Sequence, residues 1–250
     1  AAEAGLTLHQ GTYVMLAGTM VLARVLAPAD FGLIAISASL CLLMLVIAEG
    51  LIDFPLLRAD DLTENRLQSL LWTGLGLMAV LAMVAALAAP LLERAFAFDG
   101  LTGVVQASGV IFVTQAIMVA ARAMLRRQHR FRDTGILVVL SALVYVSTAI
   151  ALALAGWGVW SLVLGQIASS AALALMLARA AGLSLRWPQR FDLHGVLRTG
   201  GLGLVARLLA WVWASVDTVA VGLASSASAT GLYSRAYNLS TQVKEPFASL

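Results

Sequence analysis

Charged side chains stand inside apolar stretches of this sequence, and they are its best candidates for chemistry. Arg207 lies in GLGLVARLLAWVWAS, which has no acidic residue, Arg235 lies between Tyr233 and Tyr237, and Arg24 lies near the end of the first apolar stretch. An ionised group at the bilayer centre costs about 2.5–3.5 kcal/mol on insertion scales. We therefore predict that Arg207, Arg235 and Arg24 face a cavity and bind an anion. The alternatives are that they reach the headgroups or that Arg207 pairs with an acid on another helix.

Acidic residues in the same stretches are candidates for ion coupling. Glu49 and Asp53 are four positions apart, so they share one face of a helix, and a bound proton or cation would relieve their repulsion. Two solvated carboxylates at the headgroups are the alternative. Asp217 is predicted to couple an ion or to pair with Arg235, unless it is only a polar group at a helix end. Pro246 is predicted to bend the last helix.

The sequence carries no recognisable pattern for catalysis. Its histidines, His9, His129 and His194, are isolated, and it has no metal-ligand spacing, phosphate-binding loop or nucleophile elbow. We therefore expect no enzyme activity, no metal and no cofactor. Without an ATP site, transport would draw its energy from an ion gradient, from the membrane potential or from the gradient of the substrate itself.

Long apolar runs define the elements that must position these residues. The chain is 61% hydrophobic and 12% charged, with a mean hydropathy of +0.92. A membrane-spanning helix needs roughly 20 apolar residues, and the uncharged run over 134–178 predicts two helices joined by a tight turn at Gly156-Trp157-Gly158. The expected fold is an all-α, polytopic membrane bundle of about eight transmembrane helices. The predicted helices are 6–27, 32–56, 67–92, 102–122, 134–155, 159–179, 199–223 and 230–250.

Basic residues are distributed unevenly over the joints between these helices. Eleven arginines lie in the joints after helices 2, 4 and 6, whereas Arg24 and Arg94 alone lie at the other joints. Arginine is retained on the cytoplasmic side during insertion, so the N-terminus is predicted to be cytoplasmic. The run RAMLRRQHRFRD is then a topology signal and a headgroup contact, and nucleic acid is not an expected partner.

A short repeat suggests the overall plan. Gly32-Leu33 and Gly231-Leu232 begin similar helices 199 positions apart. The six predicted helices between them give both copies the same orientation, as in transporters built from parallel repeats. We predict a first six-helix lobe at 1–180, a cytoplasmic connector at 181–197 and the first two helices of a second lobe at 198–250. The second lobe is expected to be truncated, as in a fragment of a longer protein.

Five segments, in order, resemble the polysaccharide-transport flippases, which share a superfamily with multidrug and toxin extruders and lipid II flippases. They are ARVLAPADFGLIAIS, EGLIDFPLLR, RRQHRFRD, GWGVWSLVLGQI and VDTVAVGLASSASATGLYSRAYNLS. The resemblance implies two helical lobes around a central cavity in the bacterial inner membrane. It also implies a polyprenyl-pyrophosphate-linked oligosaccharide as substrate, on the route to lipopolysaccharide or exopolysaccharide. Polysaccharide polymerase and glycosyltransferases are the implied protein partners.

The resulting hypothesis is an exporter that binds the pyrophosphate head among Arg24, Arg207 and Arg235 and works by alternating access. A multidrug and toxin extrusion cation antiporter is the alternative, and it predicts an acid-rich cavity. A membrane glycosyltransferase or polymerase would need a sizeable loop with carboxylates, but the longest joint has only Asp192. A non-transporting scaffold for polymer assembly has no use for costly intramembrane arginines.

Overall fold

The computed structural model describes the backbone of residues 14–15, 17–50, 64–184, 186–187 and 193–248. Side chains are described in these ranges except at 64–66, 193–203, 206, 210, 214 and 238–248. Helix α1 occupies 17–25. It is followed by α2 (Pro28–Ala48), α3 (Glu64–Phe96), α4 (Leu101–Arg127), α5 (Phe131–Leu154), α6 (Val159–Ala181), α7 (Leu193–Ala224) and α8 (Ala227–Ala248). The described residues contain no strand, so the predicted all-α fold is confirmed.

Helices α2 to α6 are long and apolar enough to cross a membrane. Two pieces of α7, Arg207–Trp213 and Ser215–Ala224, meet at a bend of 45° and would together form a sixth span. The chain is therefore a multi-pass membrane protein. The number of eight spans stays a prediction, because α1 and α8 are not among the helices that meet this criterion in the described part of the chain.

Local sequence explains where α2 begins, four residues before its predicted start. Pro28 lies in the first turn, where its missing N–H has no helical partner to lose. The Asp30 carboxylate accepts a hydrogen bond from the Ala27 N–H at 3.1 Å and caps that end of the helix. The turn between α5 and α6 is also as predicted, with Gly156 and Gly158 at positive φ.

Helix α2 packs between two groups of helices, α3 to α6 on one side and α7 with α8 on the other. Helices α3 and α4 pack together, as do α5 and α6, and α4 packs on α6, while α2 contacts α4, α7 and α8. The α2–α4 contact includes a buried hydrogen bond of 2.8 Å between the Ser37 and Ser108 hydroxyls. Since α2 contacts helices on both sides, its side chains can form a site between them.

The repeated corners found in the sequence meet directly in the structure. A Cβ added at Gly32 would overlap the carbonyl oxygen of Ala227, and one at Gly231 would overlap the carbonyl oxygen of Pro28. Ala227 precedes Gly231 by four residues, as Pro28 precedes Gly32. Reciprocal contact of equivalent residues is what a two-fold axis produces, and small residues permit such close helix approach. We call this the glycine contact.

A second connection ties the segment after α6 to the start of α3. The Gln68 side chain, which is buried, hydrogen-bonds the carbonyl of Ser184 and accepts the N–H of Arg186 at 3.1 Å. The Trp72 indole donates to the Arg186 carbonyl at 2.8 Å, and its ring packs on Trp187. These contacts hold Ser184, Arg186 and Trp187 against α3.

Candidate functional site

A cavity of about 390 Å³ lies among α1, α2, α5, α7 and α8. Its described lining combines the apolar side of α2 with hydroxyl groups from other helices and one cation. The polar lining residues include Thr19, Ser39, Ser215, Thr218, Ser234 and Arg235, and the rings of Phe31, Tyr145 and Tyr237 complete the wall. No carboxylate lines the described wall. The site is therefore suited to a polar ligand with negative charge.

Arg235 supplies the positive charge of this cavity. Its guanidinium carbon lies 3.2 Å from the centre of the Phe31 ring, a cation–π contact between α8 and α2. The Nε and Nη2 atoms are buried and have no hydrogen-bond acceptor among the described residues. Buried donors are nearly always paired, and leaving a charged one unpaired is costly. Arg235 thus has unused capacity to bind an anion.

Arg207 is neutralised by a carboxylate from another helix. It forms an ion pair with Glu49, which lies in a π-helical turn with Gly50 just after α2. Local sequence in α7 offers no counter-ion, and the structure has the alternative in which Arg207 pairs with an acid on another segment, 158 residues away. The Arg207 side chain is 40% exposed, so the pair has open space beside it.

The same region brings α2 and α7 very close. A Cβ added at Gly50 would lie 3.1 Å from the Leu204 Cα, and the Trp211 indole donates to the Ser39 carbonyl at 2.9 Å. Glu49, predicted as an ion-coupling residue, is therefore part of a helix–helix contact. Its predicted neighbour Asp53 lies outside the described residues.

Asp217 contacts a tyrosine and not the arginine that the sequence suggested. The Tyr233 hydroxyl donates to Asp217 Oδ2 at 2.7 Å, and the Thr218 N–H donates to Oδ1 at 2.8 Å. The hydrogen bonds of Asp217 in the described residues join it to Tyr233 and Thr218 and not to Arg235. The Tyr233 and Tyr237 rings stack with centres 6.2 Å apart, as their spacing predicts.

The remaining candidates lie apart from the cavity or outside the described side chains. Arg24 is exposed on α1, and neither it nor Arg207 lines the cavity. Pro246 falls within α8, but its side chain is not described, so the bend there stays a prediction. Among the described residues, no three His, Cys, Asp or Glu side chains converge as metal ligands would.

The aromatic wall of the cavity was missed from the sequence. Phe31 stands beside Gly32 in the repeated corner, but adjacent residues of a helix point about 100° apart, so its direction does not follow from that position. Tyr145 lies in an apolar helix without any distinguishing neighbour. Its role in the wall depends on how α5 packs, which local sequence does not reveal.

A family model described as "Polysaccharide biosynthesis protein" matches residues 21–249. The chain belongs to this family. This match confirms the resemblance drawn from the five sequence segments. No curated protein and no solved structure gives a significant match to the chain. The polysaccharide biosynthesis family and the apolar helices together identify a membrane protein of polysaccharide production.

Proposed function

We propose that this protein exports a lipid-linked oligosaccharide by moving its pyrophosphate head across the bilayer. The observation that carries the proposal is the unpaired guanidinium edge of Arg235 beside a cavity without a described carboxylate. A pyrophosphate head is the anion that the resemblance to polysaccharide-transport flippases implies. The hydroxyl-bearing wall and the tyrosine rings suit a sugar attached to that head.

The proposed cycle uses two lobes. Residues 1–180 form the first lobe, 181–197 connect on the cytoplasmic side, and 198–250 begin the second, with eight spans in all. The glycine contact and the Glu49–Arg207 pair both join residues of the first lobe to residues of the second. Both contacts are formed in the structure, so alternating access requires each of them to open in turn while the other stays closed.

The proposed location is the bacterial inner membrane with a cytoplasmic N-terminus. The support is the cluster of arginines between α4 and α5, where Arg130 donates to the Asp133 carboxylate and to the Ala180 carbonyl. These bonds hold basic residues at one end of the bundle, as the positive-inside rule expects. Polysaccharide polymerase and glycosyltransferases are the proposed partners, and no catalytic role is proposed for the protein.

The proposal is tested by replacing Arg235 in the full-length protein. Arg235→Ala should lower polymer export at least about tenfold, because it removes the charge that binds the head. Lipid-linked precursor should accumulate at the same time. Arg94→Ala, at an exposed position away from the cavity, is the matched control and should export normally. Undiminished export by Arg235→Ala at equal protein level would overturn the proposal.

A multidrug cation antiporter in the same superfamily makes the opposite prediction. It needs carboxylates facing the cavity to bind a cationic drug, and the described wall has none. If the full-length protein conferred drug resistance that depended on Asp217 or Glu49, while Arg235→Ala exported normally, the antiporter would replace the exporter. We place the exporter first because the cavity charge is positive.

A further inference from the structure

Phe31 covers one face of the Arg235 guanidinium and leaves its edges uncovered by that ring. The ring centre lies 3.2 Å from the guanidinium carbon, so the two groups are in tight contact. The unpaired Nε and Nη2 atoms lie on the same edge of the planar group. Their N–H bonds point in parallel, which is the fork that binds two oxygens of a phosphate or carboxylate side by side.

The protein supplies no acceptor for this fork among its described residues. Asp30 interacts with Arg235 electrostatically but is not a hydrogen-bond partner of Nε or Nη2. Its Oδ2 atom already accepts the Ala27 N–H at the start of α2. The hydroxyls of Ser39 and Ser234 donate to backbone carbonyls of their own helices. The fork is thus a charged donor pair held in place without its partner.

We propose that Phe31 is a positioning residue, which fixes the plane of Arg235 so that its Nε–Nη2 edge, buried in the structure, binds one phosphate of the substrate head bidentately once entry of the head uncovers it. This inference rests on the proposed function and names the group that makes its anion site specific. Phe31 belongs to α2 and Arg235 to α8, which the glycine contact holds together. Phosphate affinity therefore depends on the closed contact between these helices.

The test measures binding of farnesyl pyrophosphate to the full-length protein in nanodiscs of zwitterionic lipid. Phe31→Leu removes the aromatic face and should weaken binding about tenfold. Phe31→Tyr keeps the face and should restore the affinity to within about twofold. Phe131→Leu is the matched control, since Phe131 is exposed at the far end of α5, and its affinity should equal that of the wild type.

The fork itself is tested by Arg235→Lys, which keeps the charge but offers no planar pair of donors. It should lose most of the affinity that Arg235→Ala loses, whereas a wild-type affinity in Arg235→Lys would overturn bidentate binding. Equal affinity of Phe31→Leu and wild type would overturn the positioning role and leave the proposed function standing. If farnesyl pyrophosphate fails to bind the wild type, or binds Arg235→Ala as tightly, both proposals fall.

Two further binding measurements distinguish a pyrophosphate head from a phospholipid of the bilayer as the ligand of Arg235. Inorganic pyrophosphate should compete with farnesyl pyrophosphate, because the fork contacts only the head. Nanodiscs with phosphatidylglycerol should leave the affinity for farnesyl pyrophosphate within about twofold, since a single phosphodiester carries less charge than a pyrophosphate. Strong, Phe31-dependent competition by phosphatidylglycerol would overturn the assignment to a pyrophosphate head and would assign the fork to bilayer lipid.

Discussion

The two ends of α2 are joined to α8 and α7 by different kinds of contact. Near its start, Gly32 and Gly231 bring two backbones together with no room for a side chain on either helix. Near its end, the Glu49 carboxylate and the Arg207 guanidinium form a partly exposed ion pair. One contact depends on shape and the other on charge.

This difference bears on how each contact can open. A backbone contact between glycines has no charge to screen, and it is lost only when the helices separate. An ion pair with open space beside it can exchange its partner for a mobile anion or proton. A mobile ion can therefore act directly on the Glu49 end of α2, whereas the Gly32 end responds only through movement of the helix.

The largest effect is expected from adding a methyl group to the glycine contact. Gly32→Ala or Gly231→Ala places Cβ on a backbone carbonyl, which cannot move aside like a flexible side chain. We expect a loss of about 1–3 kcal/mol in stability, as for overpacked cores, together with failure of export. Thermal unfolding in detergent measures the stability, and polymer export by cells carrying the variant measures transport. Disulfide crosslinking between cysteines placed at Pro28 and Ala227 reports whether the two helices still meet.

Gly76→Ala is the matched control for that prediction. Gly76 lies in α3, and a Cβ there meets no atom within 4 Å. Because alanine favours helix over glycine, this variant should be neutral or more stable by up to about 1 kcal/mol. If Gly32→Ala behaved like Gly76→Ala, the close contact between α2 and α8 would be incorrect.

Breaking the ion pair should have the next largest effect. Arg207→Ala leaves Glu49 partly buried without its partner, and we expect a loss of about 1–2 kcal/mol, less than for a fully buried pair. Glu49→Gln should be milder, and the double variant should be less destabilised than the sum of the two single variants. Strict additivity in this cycle would mean that the two residues do not interact.

A smaller effect is expected from the tyrosine near the glycine contact. Tyr233→Phe removes the hydroxyl that donates to Asp217 at 2.7 Å, which should cost about 1 kcal/mol. Asp217→Asn keeps an oxygen that can accept this bond, so it should cost less. Thermal unfolding of both variants measures the difference, and the reverse order would show that the charge of Asp217 matters more than its hydrogen bond.

A higher salt concentration should produce the smallest change. It distinguishes the ion pair from the glycine contact most directly, because only the ion pair depends on charge. Raising ionic strength from 0.1 to 1 M shortens the Debye length from about 10 to 3 Å and weakens the exposed pair. Crosslinking near Glu49 and Arg207 should fall slightly, while crosslinking at Pro28 and Ala227 stays constant. A salt-dependent glycine contact would mean that charge also holds that end.

The helical fold was predictable because apolar length and turn residues are local signals. The run over 134–178 gave both α5 and α6, with the break at Gly156 and Gly158 where positive φ is required. The residues at which helices end were predicted less accurately. For example, α4 runs to Arg127, beyond its apolar stretch, because basic residues are favourable in a last helical turn.

The site was only partly predictable, since its contacts join distant residues. Arg235, which the cost of burying charge singled out in the sequence, is among the lining residues of the cavity. Its ring partner Phe31 is 204 positions earlier in the chain, and the partner of Arg207 is 158 positions earlier. The repeat indicated that the two corners are equivalent, but equivalence alone does not reveal that they touch.

The attachment of Ser184, Arg186 and Trp187 to α3 limits how far α7 can travel. Gln68 and Trp72 hold the chain up to Trp187, and only residues 188–192 separate that point from Leu193 at the start of α7. Six Cα–Cα steps of about 3.8 Å reach no more than about 23 Å. The start of α7 therefore stays within about 23 Å of Trp187, and so of α3, during any movement of the helix.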